Sequence, residues 1–192
     1  MDYDFFAIIS RLKYINRWSL MHCAENENVM EHTEQATVVA HALAVIKNKL
    51  FGGTVNVEKV LLYALYHETS EVITGDLPTP VKYYNNDVTS SFKALEKTAC
   101  EKIVNTLPPE IKGDFENAIF QQDGEEKAIV KCADKISAYI KCLIELKLGN
   151  KEFKKAKLSI EKEITGYTRP EADYFMKNFI PAFNKTLDEL DL

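Results

Sequence analysis

The sequence predicts an all-α fold, a compact bundle of many helices, on three observations. Apolar residues recur at three- and four-residue steps along nearly the whole chain, and no segment sustains a two-residue alternation rich in β-branched residues. Seven Gly and six Pro in 192 residues are too few for a loop-rich or disordered chain.

The elements follow in order. A short helix covers residues 5–14, after which Asn16-Arg17-Trp18-Ser19 and the polar stretch 24–27 read as a connection. Asn28 is the N-cap of the second helix, with Glu31 three residues on to reach back. Ala36, Val39 and Leu43 continue one stripe until Phe51-Gly52-Gly53 stops it. A third helix spans 56–70, with Val60, Tyr63, Ala64 and His67 on one face, and runs into a loop at 74–80 whose two prolines forbid helix before each. A fourth, at 87–106, carries Phe92, Leu95, Ala99 and Ile103 and ends at Pro108-Pro109; a short helix at 110–120 follows. The strongest periodicity runs over 125–148, where Ile129, Cys132, Ala133, Ile136, Ile140, Leu143 and Ile144 share a face and Gly149 supplies the stop. A charged amphipathic helix at 152–164 and a last one opened by Pro170 and bent at Pro181 complete the chain; Lys151 to Lys157 read as a solvated face.

Length and patterning predict one domain over residues 1–192, with no linker, repeat or low-complexity tract. No run approaches the ~18 apolar residues of a membrane span, and the start, Met1-Asp2-Tyr3-Asp4, is acidic where a secretory leader is basic, so the expectation is a cytoplasmic protein with no membrane partner. A formal charge of −5 lacks the basic excess that neutralises a nucleic-acid backbone, so no long nucleic acid is expected. Cys23, Cys100, Cys132 and Cys142 form no C-x-x-C pair and read as reduced thiols.

Two histidines stand on apolar stripes: His32 with Ala36, Val39 and Leu43, and His67 with Val60 and Ala64. Glu68 follows His67 at once, Glu71 lies one turn further on its face, and Asp134 sits beside the stripe of the longest helix. Each acid alone is an ordinary surface group. Turned inward together they need a cation, and histidine nitrogen with carboxylate oxygen suits one divalent Zn, Mn, Fe or Co ion better than Mg or Ca. The string His67-Glu68-Thr69-Ser70-Glu71 lacks the second histidine of the zincin motif, and neither a nucleophile elbow nor a glycine-rich phosphate loop is present. Any phosphate must be held by a metal and side chains.

The ordered set of His32, His67 with an acid directly after it, and Asp134 resembles the HD-domain metal-dependent phosphohydrolases. The strings 10–13 and 16–18, Glu31-His32, Ser70-Glu71-Val72, Thr74-Gly75-Asp76-Leu77-Pro78-Thr79-Pro80-Val81-Lys82-Tyr83 and 139–143 are similar to bacterial HD-domain 5′-deoxynucleotidases of the YfbR type, over essentially the whole chain. The resemblance implies a homodimeric enzyme that removes the 5′-phosphate from deoxyribonucleoside monophosphates with one divalent metal. It places His32, His67, Glu68 and Asp134 at the metal and Glu71 as the catalytic carboxylate. Arg17 falls on the phosphate and Trp18 against the sugar, where it disfavours a 2′-hydroxyl. Asp76, Leu77, Pro78 and Thr79 match the family's substrate-contacting loop, and the mechanism expected from charge adds Asp76 as the group that would carry a proton to the departing oxygen. One position departs: the family has Asp where this chain has Glu68, longer by one methylene of about 1.5 Å. Two other readings compete, an HD-fold nucleotide-binding protein whose metal site is impaired at Glu68, and an HD hydrolase of other nucleotide phosphate esters.

Overall fold

The computed structural model describes residues 2–190, and among them ten α-helices and four short 3-10 segments form the regular structure, with no strand. The expected first helix divides into α1 (Phe5–Ile9) and a 3-10 segment, Ser10–Tyr14. A loop then runs to Asn28, its two legs joined where Arg17 N donates to Glu27 O and Val29 N to Ile15 O, each at 2.9 Å. Helix α2 (Val29–Leu50) begins on the expected reciprocal cap: Asn28 accepts from Glu31 N while Glu31 accepts from Asn28 N.

Helix α3 (Val57–Leu65) starts as expected on Asn56 but stops five residues before Ser70. Continuation would give the carbonyls of Ala64 and Tyr66 to the amides of residues 68 and 70. Instead His67 Nδ1 takes Ala64 O at 2.7 Å and Thr69 Oγ1 takes Tyr66 O at 2.8 Å, so side chains outcompete the helix. His67 and Glu68 therefore sit on a turn, and Glu71 opens a separate single-turn helix, α4 (Glu71–Thr74). Gly75, at φ +69°, turns the chain into the expected loop, but Thr79 and Pro80 belong to α5 (Thr79–Lys82), where Pro80 fits the first turn because no helical bond needs its amide.

Beyond lie α6 (Asn86–Val104), α7 (Pro109–Ile119), α8 (Glu125–Lys147), α9 (Lys154–Gly166) and α10 (Pro170–Asn178). Pro181 does not bend the last helix; α10 ends before it and a 3-10 segment, Ile180–Asn184, takes over. Leu95, expected on the buried stripe of α6, is 48% exposed. Helices α2, α3, α8 and α10 enclose the main core, in which Leu43, Val60, Ile129, Ile136 and Ile140 are fully buried, each contributing about 1.5–3 kcal/mol. A second cluster of Phe5, Ile103, Val104, Leu107 and Ile119 seats α1, α6 and α7. The cysteines are free thiols, and among the described residues no helix is long and apolar enough to cross a membrane.

Candidate metal centre and its surroundings

The main core fixes α2 against α8, and the site grows at their junction. His32, in the first turn of α2, is fully buried, while Asp134 approaches from α8 with its Oδ1 3.0 Å from His32 Nε2. His67 and Glu68 come in from the turn after α3: Glu68 Oε1 lies 3.4 Å from His67 Nε2 and 3.7 Å from His32 Nε2. One ligand atom from each of these four residues falls within 4.8 Å of the other three.

With a cation at this point, both imidazoles would present it a lone pair. A carbonyl only accepts, so the Ala64 oxygen fixes the proton of His67 on Nδ1. Ser137 Oγ donates to Gln35 Oε1 at 2.9 Å and so accepts from His32 Nδ1 at 3.2 Å. The Nε2 atoms of both histidines are buried without a hydrogen-bond partner, as a metal-binding nitrogen requires. The donor set of two nitrogens and two carboxylates fits a divalent first-row cation. Charge argues the same way: Glu68, Asp134, Glu27 and Asp76 all act on Arg17, and Glu71 feels both Arg17 and Lys82, so five carboxyl groups crowd around two basic side chains. Burial opposes charge on Glu68 and Asp134, yet His67 and Arg17 hold the first below its ordinary range, and His32, His67 and Arg17 hold the second well below.

The other expected residues surround this cluster. Glu71 is 8% exposed, its Oε2 has no partner, and burial together with the charges of Glu68 and Asp76 pushes its carboxyl up to about 10. Arg17 gives Nε to Glu27 at 3.1 Å and Nη1 to Glu68 at 3.4 Å. Trp18 adopts the left-handed region at φ +61°, a strain of about 1–3 kcal/mol that persists because its neighbours fix it. Its amide donates to Asp76 Oδ2 at 3.2 Å, its indole Nε1 to Glu27 at 3.2 Å, and its ring lies 5.1 Å from that of the buried Phe153. Of the expected loop, Asp76 is thus tied to Trp18, Leu77 and Pro78 are half-buried, and Thr79 is exposed at the start of α5.

Sequence reasoning missed three supports. Glu27 stands in what reads as a polar connection, with nothing in its spacing to mark it. Ser137 and Gln35 are separated from each other by about a hundred residues. The third is a buried clamp on the same loop: Glu145, held to Lys141 Nζ at 2.6 Å, accepts from the amides of Ala24 and Glu25, while Lys141 donates to Glu25 O. Burial opposes charge on Glu145, but these donors and Asn150 outweigh it and bring its carboxyl down to about 2.

Fold and site together define the class, an HD-domain phosphohydrolase. An HD-domain phosphohydrolase from Listeria innocua superimposes with a TM-score of 0.82 at 22% identity, over 94% of this chain and 88% of that one. A cyanophage S-2L HD phosphohydrolase, solved bound to dA and one catalytic Zn²⁺ ion, gives 0.66 at 16% identity over 91% and 95%. A 5′-deoxynucleotidase of Yersinia pestis (strain Pestoides F) is 50% identical over 190 residues, 98% of this chain and 96% of its own length. A model of the YfbR-like 5′-deoxynucleotidases matches residues 4–183, and the chain belongs to that family.

Proposed function

We propose that the protein hydrolyses deoxyribonucleoside 5′-monophosphates to deoxynucleoside and phosphate, with one divalent cation held by His32, His67, Glu68 and Asp134. The observation that carries this reading is the pair of buried, unpartnered Nε2 atoms converging with two carboxylates inside an acid-rich crevice. When bound there, the cation supplies charge that polarises a phosphoryl oxygen and makes water a better nucleophile near neutral pH.

The protein's own groups do the rest. With Nε engaged by Glu27 and one Nη1 hydrogen turned to Glu68, Arg17 keeps Nη2 and the second Nη1 hydrogen to grip phosphate. With the cation offsetting the charge of Glu68, which together with burial holds a proton on Glu71, the Glu71 carboxylate would take a proton from the attacking water as the new P–O bond forms. Asp76 takes up a proton from solvent and delivers it to the 5′-oxygen as the bond from that oxygen to phosphorus breaks. Trp18, braced at its amide, indole nitrogen and ring, forms a fixed wall against the sugar. The same reading carries the homodimer that the family resemblance implies and the cytoplasmic location expected from the sequence.

Phosphate release from a panel of deoxy- and ribonucleoside monophosphates, with Co, Mn, Fe and Zn supplied one at a time, tests the proposal. Deoxynucleotides should be the better substrates, and Trp18→Ala should lower the deoxy-to-ribo ratio of kcat/KM; an unchanged ratio would remove Trp18 from discrimination. No release with any cation would leave the nucleotide-binding alternative standing. Glu68→Asp adds a second expectation. The Glu68 oxygen already reaches both histidines, so drawing it back by about 1.5 Å should weaken metal binding roughly tenfold in a calorimetric titration. Tighter binding would mean that glutamate strains the site.

A further inference from the structure

Consecutive side chains on extended backbone point to opposite sides, yet Arg17 and Trp18 converge on one atom. Glu27 Oε2 accepts from Arg17 Nε at 3.1 Å and from Trp18 Nε1 at 3.2 Å, and the left-handed backbone at Trp18 is what lets both reach it. The Glu27 side chain is 11% exposed, so the two bonds are shielded from competing water. Its backbone separately closes the neck of the loop through Arg17 N. Backbone closure needs no particular side chain at position 27. The carboxylate therefore has another task.

We propose that Glu27 is a positioning residue for both halves of substrate recognition, setting the plane of the Arg17 guanidinium for phosphate and the plane of the Trp18 indole for the sugar through a single shared oxygen. This rests on the reading above, in which Arg17 and Trp18 touch substrate. The shared acceptor couples the two: whatever displaces it loosens phosphate binding and 2′-discrimination together. Glu27 stands outside the four-residue cation cluster and meets it only through the Arg17 contact to Glu68, so its loss should show in KM and in selectivity more than in kcat.

Trp18 is the single tryptophan of the chain, which makes intrinsic fluorescence a direct report on the indole. Glu27→Ala should shift the emission and weaken its response to added inorganic phosphate. It should also raise KM for deoxynucleoside monophosphates by about tenfold, as loss of a hydrogen bond to a charged group implies, and lower the deoxy-to-ribo ratio in parallel. Glu27→Gln keeps one acceptor oxygen at the same reach and should restore the ratio to within about twofold of wild type. If Glu27→Ala fails to fold, Glu27→Asp replaces it as the loss variant, because its carboxylate is one methylene short of both donors. A fall in kcat alone, with KM, ratio and fluorescence as in the wild type, would reduce Glu27 to a structural residue and overturn the proposal. Wild-type protein inert on every monophosphate would instead bring down the functional reading together with this one. Normal wild-type turnover beside an unaltered Glu27→Ala would sink this inference alone.

Discussion

Glu71→Gln is expected to lower kcat by about a thousandfold while metal binding and the fold persist. General acid–base groups contribute about 10²–10⁴ in rate, and an amide of the same shape can accept no proton from water. Metal should remain, because Glu71 lies outside the group of four ligand atoms that gather within 4.8 Å. Its environment adds a second readout. In protein stripped of cations, burial and the charges of Glu68 and Asp76 hold the Glu71 carboxyl at about 10, against an ordinary 4.5. Between those values the unfolded chain releases a proton that the folded chain keeps, so the contribution of Glu71 to stability is full below pH 4.5 and is lost as pH rises towards 10. Glutamine carries no such dependence. Metal-free Glu71→Gln should therefore melt above the metal-free wild type at pH 8, with the gap closing near pH 4. Retained turnover would remove Glu71 from the reaction, and a gap independent of pH would mean that its carboxyl is not perturbed by its neighbours.

That trade of stability for chemistry also explains what the sequence makes legible and what it hides. Helix identity shows through because it depends on spacing and local caps: the stripe from Ile129 to Ile144 and the exchange between Asn28 and Glu31 need no tertiary information. The end of α3 is hidden because its periodicity continues to His67, while the helix is cut by side-chain bonds from His67 and Thr69 that a spacing rule does not count. His32, His67, Glu68 and Asp134 can each be singled out as chemically costly if buried, but their convergence depends on how α2, α3 and α8 pack. Glu27 and Ser137 act only through partners folded onto them. Residues that contact ligands carry a chemical type that marks them; residues that hold those contacts in place carry no comparable mark.

Asp134→Asn should cost the most after Glu71→Gln, and for a different reason. The amide matches the carboxylate in size, so the packing of α8 against α2 is undisturbed and the circular dichroism of the variant should stay close to that of the wild type. The change falls on charge and donor chemistry. His32 is locked by Ser137 with its Nε2 facing Asp134 at 3.0 Å, and Asp134 holds its negative charge firmly with His32, His67 and Arg17 around it. Replacing that charge removes one of two carboxylate ligands and leaves Glu68 to balance the cation alone. Affinity for the divalent cation should fall by at least about a hundredfold by calorimetric titration, since even outer-shell partners of a metal account for 10–100-fold. Turnover at a fixed, low metal concentration should fall with it and recover in part as metal is raised, which separates loss of the ion from loss of a reacting group. Glu71→Gln should show no such recovery. An Asp134→Asn variant that binds metal as tightly as the wild type would exclude Asp134 from the coordination sphere and leave the buried histidine nitrogens to be explained some other way.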